Sequence, residues 1–338
     1  MHSLLGLLGV RTYVWGSPVL GAMLSHLRAA SPGWVSPRHR AGALLTLDDD
    51  IRRDAEEILR ARYRRVTGDE LDLARAERFI DKLYARMLSQ HQDPDPRLTE
   101  LTDKFRARAY ARRCIGRRHL VRLHWHGADP AKIPFDSLPD RFVVKSNHAC
   151  GHVIRVHRDV DRADVVARAQ SWVEENYYWR AREAQYLGIQ PRILVEEYLD
   201  DGFPDGPLDY RYYCFAGRPS MIQVSDHSHA VHLFFDTRWR PLPVRFRPDR
   251  AVYDVPRPAA LAEMTRLAST LAQPFDFVRV DLYNIHGDVR FGEMTFTPQA
   301  GYRVFEPDSV ERELGRLWGT AAERPGRLRT FQRRAGRA

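Results

Sequence analysis

The chain is poor in the features that place a sequence quickly. Its three cysteines, Cys114, Cys150 and Cys214, are spread over 338 residues, too few and too far apart for a disulfide framework or a zinc pattern. A reducing cytoplasm suits them. No run of about eighteen apolar residues is present, so no transmembrane helix is expected. There is no internal repeat and no glycine-rich spacing of the P-loop kind. No acid follows Glu323 while six arginines do, which marks residues 323–338 as a disordered basic tail. The first 27 residues make a poor signal peptide: Leu4–Val10 is short and lacks a basic leader, and the stretch after it is broken by Gly16, Pro18 and Gly21. A buried or membrane-touching segment and a start placed too early are both open readings.

What is present is ordinary in bulk and informative in detail. Hydrophobic residues at 43% and charged residues at 29% describe a soluble globular protein long enough for two or three lobes. The net charge of +9 favours an anionic partner, whether nucleotide, nucleic acid, acidic glycan or membrane surface. Ser31–Arg40 reads as a linker, and Asp48-Asp49-Asp50 opens a helix with acids at the end its dipole favours. Helical spacing runs through Leu71, Phe79, Leu83 and Met87, stops at Pro94 and Pro96, and resumes from Leu98 to Ile115. The basic face Arg106–Arg118 lacks stacking aromatics and groove-sized spacing, so no specific nucleic acid is expected.

From Phe135 the texture changes to short strands. Arg141–Lys145 runs into Ser146–His152 and then Val153–Val156, a hairpin whose tip can fold over phosphates, with Lys145 as counter-charge. Ile193–Leu199 and Asp209–Phe215 read as further strands, the second with Asp209, Arg211 and Tyr213 on one face. His227, His229 and His232, like His124 and His126, lack a convincing set of metal partners and read as polar loop residues. Helices are expected at Asp161–Tyr178, Ala259–Leu271 and Asp308–Trp318.

The strongest local pattern is Arg279–Phe296, two strand-like runs about His286-Gly287-Asp288. With Gly287 as the tip, Asp281 falls opposite Glu293. Val278, Val280, Leu282, Met294 and Phe296 then form a core face, and Arg279, Asp281, Glu293 and Thr295 share the other. Directly opposed carboxylates repel. A divalent cation held jointly with phosphates would convert the repulsion to attraction; the alternative is a solvated face on which Arg279 neutralises one acid.

Taken in order, these pieces resemble the TupA-like branch of the ATP-grasp superfamily, associated with teichuronopeptide and polysaccharide synthesis. The resemblance covers Leu98 to Trp318 and rests on Thr102-Asp103-Lys104, Asp136–His152, Ile193–Leu199, Asp209–Gly217, V-R-V-D-L-Y and F-G-E-M-T-F. It implies an α+β, ATP-grasp fold in which two lobes clasp ATP, preceded by a helical region. The implied division is 1–46 for an N-terminal segment and linker, 47–135 helical, 136–199 small lobe, 200–322 large lobe with the metal hairpin, and 323–338 tail. It assigns Lys104 and Lys145 to the nucleotide phosphates, with His148 and Gly151 in the loop between the strands. Glu196, Glu197 and Leu199 fall at the adenine hinge, Asp209 beside the nucleotide, Arg211 near the transferred phosphoryl group, and Asp281, Glu293 and Thr295 on Mg²⁺. Two departures stand out: Ala149-Cys150 replaces the branch's Gly-Ser, and Thr295 stands where asparagine is usual.

The implied activity is that of an ATP-dependent carboxylate–amine ligase, with ATP and Mg²⁺ as cofactors and an acyl phosphate intermediate. Its substrates would be small-molecule or glycan-linked, in cell-surface polysaccharide or teichuronopeptide-type polymer biosynthesis. The expected location is cytoplasmic, with the tail able to touch an acidic polymer or the inner membrane surface. The alternatives are a glycosyltransferase-like protein using a nucleotide sugar and a non-catalytic anion-binding protein.

Overall fold

The computed structural model describes residues 49–203, 206–226, 232–246 and 255–322. The N-terminal segment, the linker, His227, His229 and the arginine tail lie outside the described residues.

The first helix, α1 (Asp49–Thr67), carries Asp49 and Asp50 in its first turn and buries Ile51, Ala55, Leu59 and Tyr63, a spacing of three to four that makes one apolar stripe. It ends at Gly68, whose φ of 84° suits a residue without Cβ. The apolar pattern that continues in the sequence is therefore interrupted in space. A short 3₁₀ turn at Leu73–Arg75 intervenes before α2 (Phe79–Gln92).

The expected helix over 98–115 is two helices, α3 (Pro96–Thr102) and α4 (Ala107–Ile115). Asp103 breaks it. Its backbone is extended, and its Oδ1 accepts hydrogen bonds from Phe105 N and Arg106 N at 2.8 and 3.3 Å, offering the chain a local alternative to the helix.

Two antiparallel sheets follow. The smaller joins β1 (Leu123–Gly127), β2 (Phe142–Ser146), β3 (Val153–Val156) and β4 (Ile193–Glu197) in the order β1-β4-β2-β3. One face packs Val144, Val156, Ile193 and Val195 against Val165 and Ala169 of α5 (Arg162–Val173). Alternation along the strands turns Lys145 and Glu196 to the other face. β1 was not expected as a strand; it pairs with β4, so this sheet begins within the stretch assigned to the helical region.

The larger sheet is built from β5 (Asp209–Phe215), β6 (Arg218–Ser225), β7 (His232–Phe235), β9 (Phe277–Ile285) and β10 (Asp288–Thr295), in the order β10-β9-β5-β6-β7. The small pair β8 (Arg245–Phe246) and β11 (Phe305–Glu306) stands apart. One face of the five-stranded sheet presents Tyr212, Val278, Val280 and Leu282 to Met264, Leu267 and Leu271 of the helix Leu261–Ala272. At one end of the opposite face, Phe277 packs on Phe79 and on Trp318, with ring centroids 5.0 and 4.6 Å apart. Trp318 belongs to the closing helix Asp308–Ala322. The other end of that face is polar, and it carries the site. His232 opens β7 as a strand residue, bonded across to Ser225 Oγ and Gln223 Nε2 of β6 at 2.9 and 3.0 Å.

Candidate active site

The hairpin β9–β10 closes with a two-residue turn, His286-Gly287, both at positive φ (51° and 101°), the backbone a tight right-twisted hairpin needs. Near this turn each pair is offset by one from a register centred on Gly287: Ile285 meets Asp288 and Leu282 meets Phe291. A bulge at Gly292 then adds one residue, and Glu293 comes opposite Asp281. A Cβ on Gly292 would lie 3.0 Å from the Asp281 carbonyl oxygen, so glycine is what lets the strand bend there.

The paired carboxylates do not stand alone. Arg279 grips Asp281 with both arms, Nε to Oδ1 at 2.8 Å and Nη2 to Oδ2 at 2.6 Å. Arg211 Nε stands 3.8 Å from Asp281 Oδ2, and its Nη2 donates to Asp209 Oδ2 at 2.7 Å. Glu293 Oε2 lies 3.0 Å from Lys104 Nζ. Its Oε1 accepts from Thr295 Oγ1 at 3.1 Å, while that hydroxyl accepts from Arg279 Nη2 at 3.1 Å. Asp209, Asp281 and Glu293 thus face Lys104, Arg211 and Arg279. Burial pushes Asp281 up to about 6, against the pull of Arg279. Burial would also raise Glu293, but Lys104 and Arg279 outweigh it and hold that carboxyl at about 2.

On the smaller sheet, Lys145 Nζ is 2.6 Å from Glu196 Oε2, and Glu196 Oε1 accepts from Arg108 Nη1 at 2.9 Å. Glu196 is buried and turned to these two cations. Glu197 is exposed, its N–H bonded to Arg122 O at 2.9 Å, and Leu199 is half-buried just past the end of β4.

Asn147 fixes the start of the phosphate loop. Its side chain donates to Asp103 Oδ1 and Gln190 O, both at 2.9 Å, and accepts from Arg192 N at 2.7 Å. The same Asp103 that breaks the helix therefore holds Lys104 against the loop, where Nζ donates to Ala149 O at 2.9 Å. Among the described residues, the N–H groups of Ala149, Cys150 and Gly151 find no backbone acceptor, the state of a loop ready for an anion. Cys150 lies within electrostatic reach of Glu293, Arg211 and Arg279. Tyr283, half-buried, feels Asp209, Glu293, Glu196 and Asp281 together, which after desolvation raise its hydroxyl. The two sheets thus present their charged faces to one cleft.

A family model described as TupA-like ATPgrasp matches residues 81–318. The chain belongs to this TupA-like ATP-grasp family. Its two antiparallel sheets are the two α+β lobes of the ATP-grasp fold. Comparison with curated protein sequences found no match. Among solved structures the ATP-grasp chain is similar to D-alanine–D-alanine ligase from Bacillus anthracis complexed with ATP, at 14% identity and TM-score 0.41, over 66% of this chain and 64% of that one. The Helicobacter pylori D-alanine–D-alanine ligase gives 14% identity and TM-score 0.40, over 65% and 60% of the two chains. The ATP-grasp ligase PsnB with its minimal precursor gives 13% and 0.36, over 72% and 69%. The chain spans less than two thirds of the length of the Bacillus anthracis chain, at 64%.

Of the residues expected in this ATP-grasp site, Lys104, Arg211, Asp281, Glu293 and Thr295 meet directly, Asp209 joins them through Arg211, and Lys145 and Glu196 face them. His148 does not join. Its Nδ1 bonds Asn147 Oδ1 at 3.1 Å, and its Nε2 reaches the carbonyls of Trp172 and Glu175 at 2.9 and 3.1 Å, so both ring nitrogens are engaged within the lobe. For Mg²⁺ the donor chemistry fits at Glu293 and Thr295, hard oxygens on an accessible strand end, with the Glu293 side chain 30% exposed. Both oxygens of Asp281 are engaged by Arg279 in this arrangement. Among the described residues no three His, Cys, Asp or Glu converge as a preformed cation site, so an ion here would draw other ligands from phosphate and water.

Sequence reasoning missed several participants. Arg279 was read only as a neutraliser on a solvated face; it is buried and central. Arg108 holds Glu196, and nothing but its helical position marked it. A hollow of about 10 Å³ beside Glu293 is lined by Thr102, Lys104, Gln185, Tyr186 and Thr295–Thr297. Behind it lies Glu183, whose Oε1 accepts from Thr297 Oγ1; burial pushes this carboxyl up to about 7. The segment R-E-A-Q-Y lies in short helical turns with no periodicity to betray it. A larger hollow of about 250 Å³, around Asp69, Arg78 and Arg312, is lined mainly by the connection between α1 and α2 with the closing helix, and none of the site residues is in its wall.

Proposed function

We propose that the protein is an ATP-dependent carboxylate–amine ligase acting in the synthesis of a cell-surface polysaccharide or a teichuronopeptide-type polymer. The observation that carries this reading is the convergence of Lys104, Arg211 and Arg279 on Glu293 and Asp281, across a cleft from Lys145 and a loop with free N–H groups. A carboxylate oxygen of the first substrate attacks the γ-phosphorus of ATP. The bond to the bridging oxygen breaks, and ADP leaves an acyl phosphate. An amine nitrogen then attacks the acyl carbon, phosphate departs, the nitrogen loses a proton, and an amide remains.

Little covalent chemistry falls to the chain; its task is positioning and neutralising charge. Lys104, Lys145 and the loop at Ala149–Gly151 hold the phosphates. Arg211 and Arg279 meet the charge that develops on the transferred group. The end of β4, at Glu197 and Leu199, borders the place for adenine, while Glu196 positions Lys145 from within the sheet. Mg²⁺ would be held at Glu293 and Thr295, with Asp281 beside them, and supplies neutralisation of the phosphate oxygens.

ADP release is the test, screened over amino acids paired with uronic-acid sugars, with the amide identified by mass. Hydrolysis of a nucleotide sugar without ATP consumption would replace this reading with the glycosyltransferase one.

A further inference from the structure

One part of the cleft has a chemistry that phosphate binding does not use. Gln185 Nε2 donates to Thr297 Oγ1 at 2.6 Å, and that hydroxyl donates in turn to Glu183 Oε1. This relay fixes which way the Gln185 amide faces. Its Oε1 is fully buried, with no hydrogen-bond partner among the described residues. Glu183 and Gln185 are 5% and 4% exposed. Among the described residues Glu183 forms no ion pair: Arg62, the cation that acts on it most, gives Nη1 to Ala300 O at 3.0 Å and covers the Tyr302 ring. Lys104 is engaged by Glu293 and the loop. A buried carboxylate without a cation and a buried carbonyl oxygen without a donor are each costly. Both are relieved by one ligand, a cation that also donates hydrogen bonds.

Gln185, Tyr186 and Thr297 share a hollow with Lys104 and Glu293. One wall is thus electropositive toward the phosphoryl group, and the other carries the orphaned Gln185 acceptor. We infer that Glu183, Gln185 and Thr297 form the subsite for the ammonium group of the amine substrate, placing its nitrogen beside the acyl phosphate, where transfer of one ammonium proton to the Glu183 carboxylate frees the lone pair that attacks. The inference rests on the ligase reading and adds to it the place and polarity of the second substrate. At about 10 Å³ the hollow has room for the ammonium head alone, with the rest of that substrate outside.

The test is calorimetric titration of glycinamide, an ammonium without a carboxylate, into the full chain saturated with AMP-PNP and Mg²⁺. Wild-type protein binds it, Glu183→Gln weakens the affinity at least tenfold, and AMP-PNP binds both proteins equally. Gln185→Leu removes the orphaned acceptor without touching the carboxylate and weakens glycinamide as well; it decides the matter should Glu183→Gln not fold. Equal glycinamide affinity in wild type and variants overturns the subsite. So does a wild-type complex that ignores glycinamide, or that takes K⁺ or acetate at this place instead. A wild-type chain that fails to bind AMP-PNP fails the ligase reading first, and the subsite with it.

Discussion

Asp281 and Arg279 show how far one side chain can change the meaning of its neighbour. Two carboxylates opposed on adjacent strands suggest repulsion that only a metal relieves, and on that footing Asp281→Asn should leave the metal-free protein level or more stable. The structure reverses the sign. Asp281 is the counter-charge of a buried arginine at 2.6 and 2.8 Å, with a second arginine 3.8 Å away. Removing one partner of such a pair leaves a buried charge uncompensated. Asp281→Asn is therefore expected to cost about 3 kcal/mol, less than full truncation because the amide still accepts one bond. Urea unfolding without metal or nucleotide measures it. A midpoint equal to or above that of wild type would contradict the pairing. The register of this pair was legible in the sequence, and the resemblance brought Lys104 and Arg211 to the site; their pairing with Glu293 and Asp281 was not legible, because they arrive from distant segments.

At the scale of elements, legibility followed alternation. Phe142–Ser146, Val153–Val156 and Asp209–Phe215 could be read because apolar and polar residues alternate or branch at Cβ. Leu123–Gly127 could not: L-H-W-H-G is half-buried except for exposed His126, with no clean alternation, and its place is set by pairing with β4. The helix over 98–115 was misread as continuous because the aspartate that breaks it is also tolerated within helices. The loop after β2 rests on another such contact. His152 stacks on Trp172 of α5 at 5.0 Å and 11°, with Ser146 Oγ at 3.2 Å from Nδ1. Burial lowers its pKa to about 4, although Glu175 at 3.6 Å opposes the shift. The folded protein therefore resists a proton that the unfolded chain takes up near 6.5. This contribution to stability is complete above pH 6.5 and is lost as pH falls towards 4, by up to about 3 kcal/mol. Urea midpoints of wild type and His152→Gln across that range should diverge at neutral pH and converge in acid. A constant difference would mean the folded protein takes up this proton as readily as the unfolded chain.

For the whole molecule, the net charge of +9 pointed to an anion without choosing one, and the fold narrows the choice by gathering cations from both sheets into a single cleft. No helix among the described residues is long and apolar enough to cross a membrane. The six arginines after Glu323 form a second basic region, separate in sequence from the cleft residues. Deleting residues 324–338 should leave nucleotide affinity intact and weaken retention on heparin, with the difference fading as salt rises. Lost nucleotide binding in the truncated chain would show the tail to be part of the site. Family membership was legible because short motifs occur in a fixed order; the second-substrate region was not, because loops such as Pro298–Phe305 carry no periodic signal.

The central claim is that the cleft between the sheets binds ATP through these cations. The most direct measurement is calorimetric binding of Mg²⁺ and AMP-PNP to wild type and to Lys145→Ala. Glu196 keeps Arg108 as a partner at 2.9 Å when Lys145 is lost, so the fold survives the change. Wild type is expected to bind saturably, and the variant more weakly by about 1–3 kcal/mol, the worth of a hydrogen bond to a charged group. Unchanged affinity in Lys145→Ala would contradict the claim.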